Sequence, residues 1–191
     1  MNDKKNITFS DYDCLYAYFK ERLRGVQRLA VLGAGSVLRA DDAAGVWVAE
    51  QLREAFEPGL HPRLLFCAGE TAPENFSGKI RRFNPTHLLV ADAADIGLRA
   101  GDIAEIRPED VGGPTYCTHM LPLRVMISYL AEETGCAVTL LGIQYKSLAF
   151  DGAMSGEVRA AAAMLRDALI KIIKETDILN LSQGNKRQSE Y

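Results

Sequence analysis

Two adjacent acids, Asp41 and Asp42, close the run VLGAGSVLRADD at residues 31–42. A third, Asp92, follows directly on the apolar stretch Leu88-Leu89-Val90-Ala91, with Asp95 three residues on, and a histidine stands in Thr118-His119-Met120. If one carboxylate of the Asp41-Asp42 pair, Asp92 and His119 converge, these two carboxylates and one imidazole form an oxygen and nitrogen donor set that suits a divalent transition metal and leaves coordination positions open. Such a set is too hard for a thiolate-type zinc centre. A free carboxylate of the pair, Asp42 or its neighbour Asp41, has the chemistry of a general base. Each residue also has a structural alternative: Asp41 or Asp42 as a helix cap, Asp92 as a turn former, His119 as a first-turn helix residue. Glu70 and Gln144, each just past an apolar run, are secondary candidates for lining a cleft. His61, beside Pro62, and His87, after a Pro-Thr turn without an acidic neighbour, are read as structural.

For these groups to meet, the chain must bring several strand ends to one rim, and its patterning supplies the elements. Short apolar runs at Leu29–Leu32, Leu64–Cys67, His87–Ala91 and Ala137–Ile143 read as buried strands, and the alternating Asp102–Ile106 as a strand with a wetter face at a sheet edge. Between them lie a helix over 42–56, one from the capping box Thr71-Ala72-Pro73-Glu74 to Phe83, one from Thr118 to Leu130 and one over Ser155–Lys174. An amphipathic helix over Phe9–Arg24, capped by Ser10, precedes them. The expected fold class is α/β: a single domain with a twisted, mostly parallel sheet of about five strands and helices on both faces. In such sheets ligands bind beyond the carboxyl ends of the strands, where the Asp41-Asp42 pair, Asp92 and His119 all fall. The expected organisation is an N-terminal extension over 1–28, the α/β domain over 29–174 and a polar tail over 175–191.

Composition narrows the function. The 191 residues carry 22 Lys and Arg against 25 Asp and Glu, a net charge of −3, with no basic patch suited to nucleic acid. No apolar run reaches membrane-spanning length, and the four cysteines, Cys14, Cys67, Cys117 and Cys136, form no C-x-x-C pair, so a reduced cytoplasmic setting is expected. Gly33-Ala34-Gly35 opens like a dinucleotide turn, but Leu38 stands where the third glycine belongs and no acid directly follows the second strand. The chain also lacks a G-x-S-x-G elbow and an H-E-x-x-H helix, which removes support for a standard serine or zinc peptidase.

GAGSVLRADDAAG, GETAPEN, LLVADAADIGLRAGDI, THMLPL and LLGIQ resemble, in the same order, the sequence blocks of the maturation endopeptidases of nickel–iron hydrogenases, closest to the branch serving formate-linked or energy-converting enzymes. The resemblance covers roughly Leu29 to Lys174. It implies removal of a C-terminal extension from the hydrogenase large-subunit precursor once nickel is in place. It further implies that Asp42, Asp92 and His119 contact that nickel, supplied by the substrate, or another divalent metal in its place. A non-catalytic metal-sensing or chaperone module for the same precursor is the alternative. Two departures stand out: Ser36 where the family commonly has Asn, and Ala43-Ala44-Gly45, which delays the glycine expected after the acidic pair.

Overall fold

The computed structural model describes residues 7–56, 61–107, 120–176 and 178. Along the chain run β1 (Thr8–Phe9), α1 (Tyr12–Arg22), β2 (Leu29–Ala34), a 3-10 turn (Ala40–Ala43), α2 (Ala44–Phe56) and β3 (Leu64–Glu70). A second 3-10 turn (Pro73–Phe76), α3 (Ser77–Phe83), β4 (His87–Ala94), β5 (Ile103–Ile106), α4 (Met120–Thr134), β6 (Ala137–Gln144) and α5 (Gly156–Glu175) follow. The strands form one six-stranded sheet in the order β1-β5-β6-β4-β2-β3. β6, β4, β2 and β3 are mutually parallel, whereas β5 runs antiparallel to β6 and β1 antiparallel to β5.

The apolar runs of β2 and β4 are fully buried because both faces of the sheet are covered there, as the lack of alternation predicts. Leu29, Val31, Leu89 and Ala91 face a core with residues of α1, α2 and α5. Their neighbours Ala30, Leu32, Leu88 and Val90 face the opposite core with residues of α3 and α4. Strand order reverses at β2, whose chain continues outward to β3 while β4 lies on its other side. The carboxyl ends of β2 and β4 therefore flank a topological switch point, where this architecture leaves a crevice.

Three expectations need correction. Phe9, expected at the start of the first helix, instead forms with Thr8 a short strand that pairs with Ile103 and Ala104 and completes a six-stranded sheet. β5 is consequently an inner strand, and its Ile103, Ala104 and Ile106 are buried. Helix α1 starts later than expected and is capped by Asp11, whose carboxylate accepts from the Cys14 amide, while Ser10 donates its hydroxyl to Asp11. The extension is thus integral to the fold: Phe9, Leu15, Phe19 and Leu23 all enter the α5 side of the core.

Gly45 fixes how closely α2 approaches the seam between β2 and β4. A Cβ there would lie 2.2 Å from the Ala91 carbonyl oxygen and 2.6 Å from that of Ala34. The delayed glycine is therefore the residue that lets the helix sit on the seam and carry the acidic turn over it. Gly45→Ala should lower stability by about 1–3 kcal/mol through overpacking against backbone. Gly78→Ala in α3, where a Cβ meets nothing within 4 Å, should leave stability unchanged or raise it by up to ~1 kcal/mol. Thermal or urea denaturation of the two variants checks the contrast.

Candidate active site

β2 ends in Ala34, and Gly35 turns the chain sharply with φ +121°. A Cβ at Gly35 would fall 1.8 Å from the Asp42 carbonyl oxygen, so only glycine lets the acidic turn fold back this tightly. The Ser36 amide then donates to the Asp42 carboxylate at 2.9 Å. Because the anchor is a backbone N–H, the Ser-for-Asn departure leaves the placement of Asp42 intact. Within β4, Asp92 pairs in register with Gly142 of β6 and is buried. Asp42 and Asp92 line one small cavity of about 20 Å³ together with Gly35, Glu70, Pro73 and Leu123. That volume suits one water molecule or one ion.

The electrostatics of this cavity are unfavourable for charge. Burial first, and the neighbouring Asp42 carboxylate second, push the Asp92 carboxyl up to about 8. The uncomplexed site thus holds a proton on Asp92 at neutral pH. A divalent cation between the two groups would relieve both causes at once and displace that proton.

Asp41 is adjacent in sequence and opposite in role. It is fully buried and accepts from the amides of Lys146 (2.8 Å), Ser147 (2.9 Å) and Ser155 (2.6 Å) and from the Ser155 hydroxyl (3.1 Å). Burial pushes its carboxyl up, but the hydrogen bonds from Ser155, Lys146 and Ser147 outweigh that and hold it below the ordinary carboxylate range. Its oxygens clamp the loop after β6, and this arrangement gives no support to a general-base role for Asp41. The clamp is what the 3-10 turn needs in order to present Asp42 to the other side.

The secondary candidates divide similarly. Glu70 lines the cavity at the end of β3, with φ +48°. A bulge between β2 and β3 inserts Gly69 and re-aims the strand end there. Gln144 instead organises the loop after β4: its side-chain oxygen accepts from the Ile96 and Leu98 amides, and its side-chain nitrogen donates to Asp95. His87 is structural, as expected. It is buried with Nε2 at 3.0 Å from the Thr139 hydroxyl, and burial, aided by Arg22, lowers it to about 4. His61 accepts from the Arg63 amide at 3.4 Å. His119 and Cys117 lie outside the described residues. Among the described residues no group of three His, Cys, Asp or Glu side chains is placed to hold a metal. Thr71, Pro73 and Leu123 in the wall belong to the GETAPEN and THMLPL blocks, but their side chains carry no acid, base or ligand chemistry that would mark them as cavity residues.

The fold is a mostly parallel α/β sheet with two acids at its switch point. The family model for hydrogenase maturation proteases matches residues 46–176. The hydrogenase 3 maturation protease of Escherichia coli K12 is 35% identical over 132 residues, covering 69% of this chain and 81% of that protein. The crystal structure of the NiFe hydrogenase maturation protease HycI from Thermococcus kodakarensis superposes with a TM-score of 0.75 at 32% identity, covering 82% of this chain and 99% of that one. The hydrogenase maturating endopeptidase HybD of E. coli gives 0.63 at 26% identity, covering 78% and 93%. The chain belongs to the hydrogenase maturation protease family and is an endopeptidase.

Neighbouring acids with opposite environments should respond oppositely to neutralisation. A carboxyl whose folded value lies above its unfolded one makes the native state bind more protons, so its contribution to stability falls as pH rises from about 4 to about 8. Asp92→Asn should therefore gain roughly 2–4 kcal/mol over wild type at pH 7, with the difference shrinking toward pH 4. His87 opposes this in part, since its lowered value makes stability rise with pH between about 4 and 6.5, which is why the difference between the proteins is the quantity to measure. Asp41→Asn should lose about 1–3 kcal/mol at pH 7 by turning an amide against three backbone donors. Urea titrations across that pH range test both signs.

Proposed function

We propose that this endopeptidase removes a C-terminal extension from the nickel-loaded large-subunit precursor of a nickel–iron hydrogenase. The observation that carries the reading is the pair Asp42 and Asp92 at one small cavity, where burial and the neighbouring Asp42 make charge on Asp92 costly and a cation would relieve it. Nickel arrives with the substrate and completes the site, with His119 as the third protein contact. Asp92 gives up its proton as the ion binds. Held by Asp42, Asp92 and His119, such an ion would supply polarisation of the scissile carbonyl and activation of a water for attack on it. Asp42 is positioned to accept a proton from that water.

Incomplete ligation in the free enzyme makes the reaction selective, because a precursor without nickel brings no anchor. The surroundings suit a protein substrate. Val37, Leu38 and Phe150 are exposed large apolar side chains on two loops joined by the Asp151 amide donating to the Leu38 carbonyl at 2.8 Å. Asp42 is held by the first of these loops, so a macromolecule docking there meets an apolar rim beside the acids. Among the described residues no helix is long and apolar enough to cross a membrane.

Purified enzyme incubated with nickel-loaded and nickel-free precursor should release a C-terminal peptide only from the loaded form, read by intact mass. Asp42→Asn, Asp92→Asn and His119→Ala should each reduce processing at least ~100-fold while remaining folded, consistent with loss of a group that stabilises the transition state. Equal processing of both precursor forms, or normal processing by these variants, would overturn the assignment.

A further inference from the structure

We propose that Glu70 is a further catalytic residue, the one that delivers a proton to the amine leaving the scissile peptide bond. The inference rests on the processing function above and adds to it the group that protonates the leaving nitrogen.

Peptide hydrolysis sets the requirement. An amine departs from a tetrahedral carbon only as its nitrogen gains a proton, because the bare amide anion is too basic to leave. Asp42, Asp92 and His119 are turned to the ion and the attacking water in that reading, so another group must reach the nitrogen. Among the described residues Glu70 is the one acid besides Asp42 and Asp92 that lines their cavity. It is also exposed, which places it at the mouth, on the side from which a substrate enters.

The backbone holds Glu70 there in a conformation that no contact of its own side chain explains. Its φ of +48° is left-handed, a region that side chains other than glycine enter only under constraint. The Gly35 amide donates to the Glu70 carbonyl at 3.1 Å, and the Ala72 amide to the Gly69 carbonyl at 3.2 Å. The bulge residue before it is wedged in place. A Cβ on Gly69 would lie 3.0 Å from both the Gly33 carbonyl oxygen and the Pro73 Cα. The main chain is thereby pinned to Gly35, the residue that turns the chain toward Asp42. The carboxylate, by contrast, makes no hydrogen bond or ion pair among the described residues. Backbone strain of this kind gathers at functional sites. An unpaired carboxylate beside a water-sized cavity is equipped to take up a proton and release it.

The protons balance through the carboxylates present. Water yields one proton to Asp42 as its oxygen bonds to the carbonyl carbon. That proton passes to Glu70 across the cavity both residues line. The carbon–nitrogen bond breaks with its electron pair on nitrogen, which takes the proton from Glu70. The second water proton stays on the new carboxyl group and ionises into solvent, and Asp42 and Glu70 end as carboxylates.

The test uses the full-length enzyme and nickel-loaded precursor in two forms, one with the natural scissile amide and one with an ester in its place. An ester's alkoxide leaves with far less need of a proton than an amine, so the pair of substrates isolates this step. Glu70→Gln should lower kcat on the amide roughly 100-fold or more with KM unchanged, and the loss should shrink to within ~5-fold on the ester. Turnover of the ester also shows that the variant is folded. Glu70→Asp, which keeps the acid on a shorter stem, should recover part of the amide rate. Normal processing of the amide by Glu70→Gln, or a loss of equal size on amide and ester, overturns the role and leaves the processing function standing. A raised KM with kcat unchanged also overturns it, and makes Glu70 a recognition group for a cationic part of the substrate. Absence of cleavage of both forms by wild-type enzyme overturns the processing function and the proton delivery with it.

Discussion

Burying a carboxyl group beside another carboxylate is the constraint around which this molecule is arranged. Asp92 ends the apolar core of the central strand, and both its burial and the neighbouring Asp42 disfavour its charge. A site of that kind persists only if the surrounding scaffold is stiff enough to hold the two groups together without a counter-charge. Stiffness comes from close backbone contact. Gly33 and Gly45 allow β2, α2 and β4 to pack with distances at which any side chain would collide. The acidic turn between β2 and α2 is thereby pinned from below by the sheet and from above by the helix.

The pair Asp41-Asp42 shows how one turn serves structure and chemistry together. A 3-10 segment points successive side chains in different directions, and here one carboxylate enters the protein while the other reaches the cavity. Asp41 binds three amides and a hydroxyl of the 146–155 region, which ties the loop after β6 to the turn after β2. The turn accepts strain in return, with Ala40 at φ +41°. Asp42 needs a single backbone hydrogen bond to orient it and stays otherwise available. Adjacent identical residues thus differ by the donors around them, and those donors come from a segment more than a hundred positions away.

That separation explains what could be read in the sequence and what could not. Buried strands at Leu29, His87 and Ala137 announce themselves by continuous apolar runs, and their carboxyl ends place Asp42 and Asp92 on one rim by the general behaviour of parallel sheets. Choosing between Asp41 and Asp42 required the family motif, because nothing local distinguishes two neighbouring acids. The donors that engage Asp41 belong to the loop before α5 and are visible only in the folded chain. Thr8–Phe9 was illegible for a related reason. A two-residue strand has no periodicity, and its pairing with Ile103 and Ala104 is a purely tertiary event. Gln144 was legible as a polar residue past a strand, yet its side chain holds the Ile96 and Leu98 amides rather than the cavity.

The two ends of the sheet are finished differently, and the difference follows from what each end must do. At the β5 side the chain's own N-terminus supplies β1, Ile7 accepts from the Glu105 amide, and Arg22 of α1 reaches Glu105, Thr139 and the Val138 carbonyl. That edge is closed by covalent neighbours and a polar network, at no cost in translational entropy. At the β3 side the last strand pairs only with β2 among the described residues. An open apolar edge is an aggregation hazard that a protein keeps only where pairing is useful.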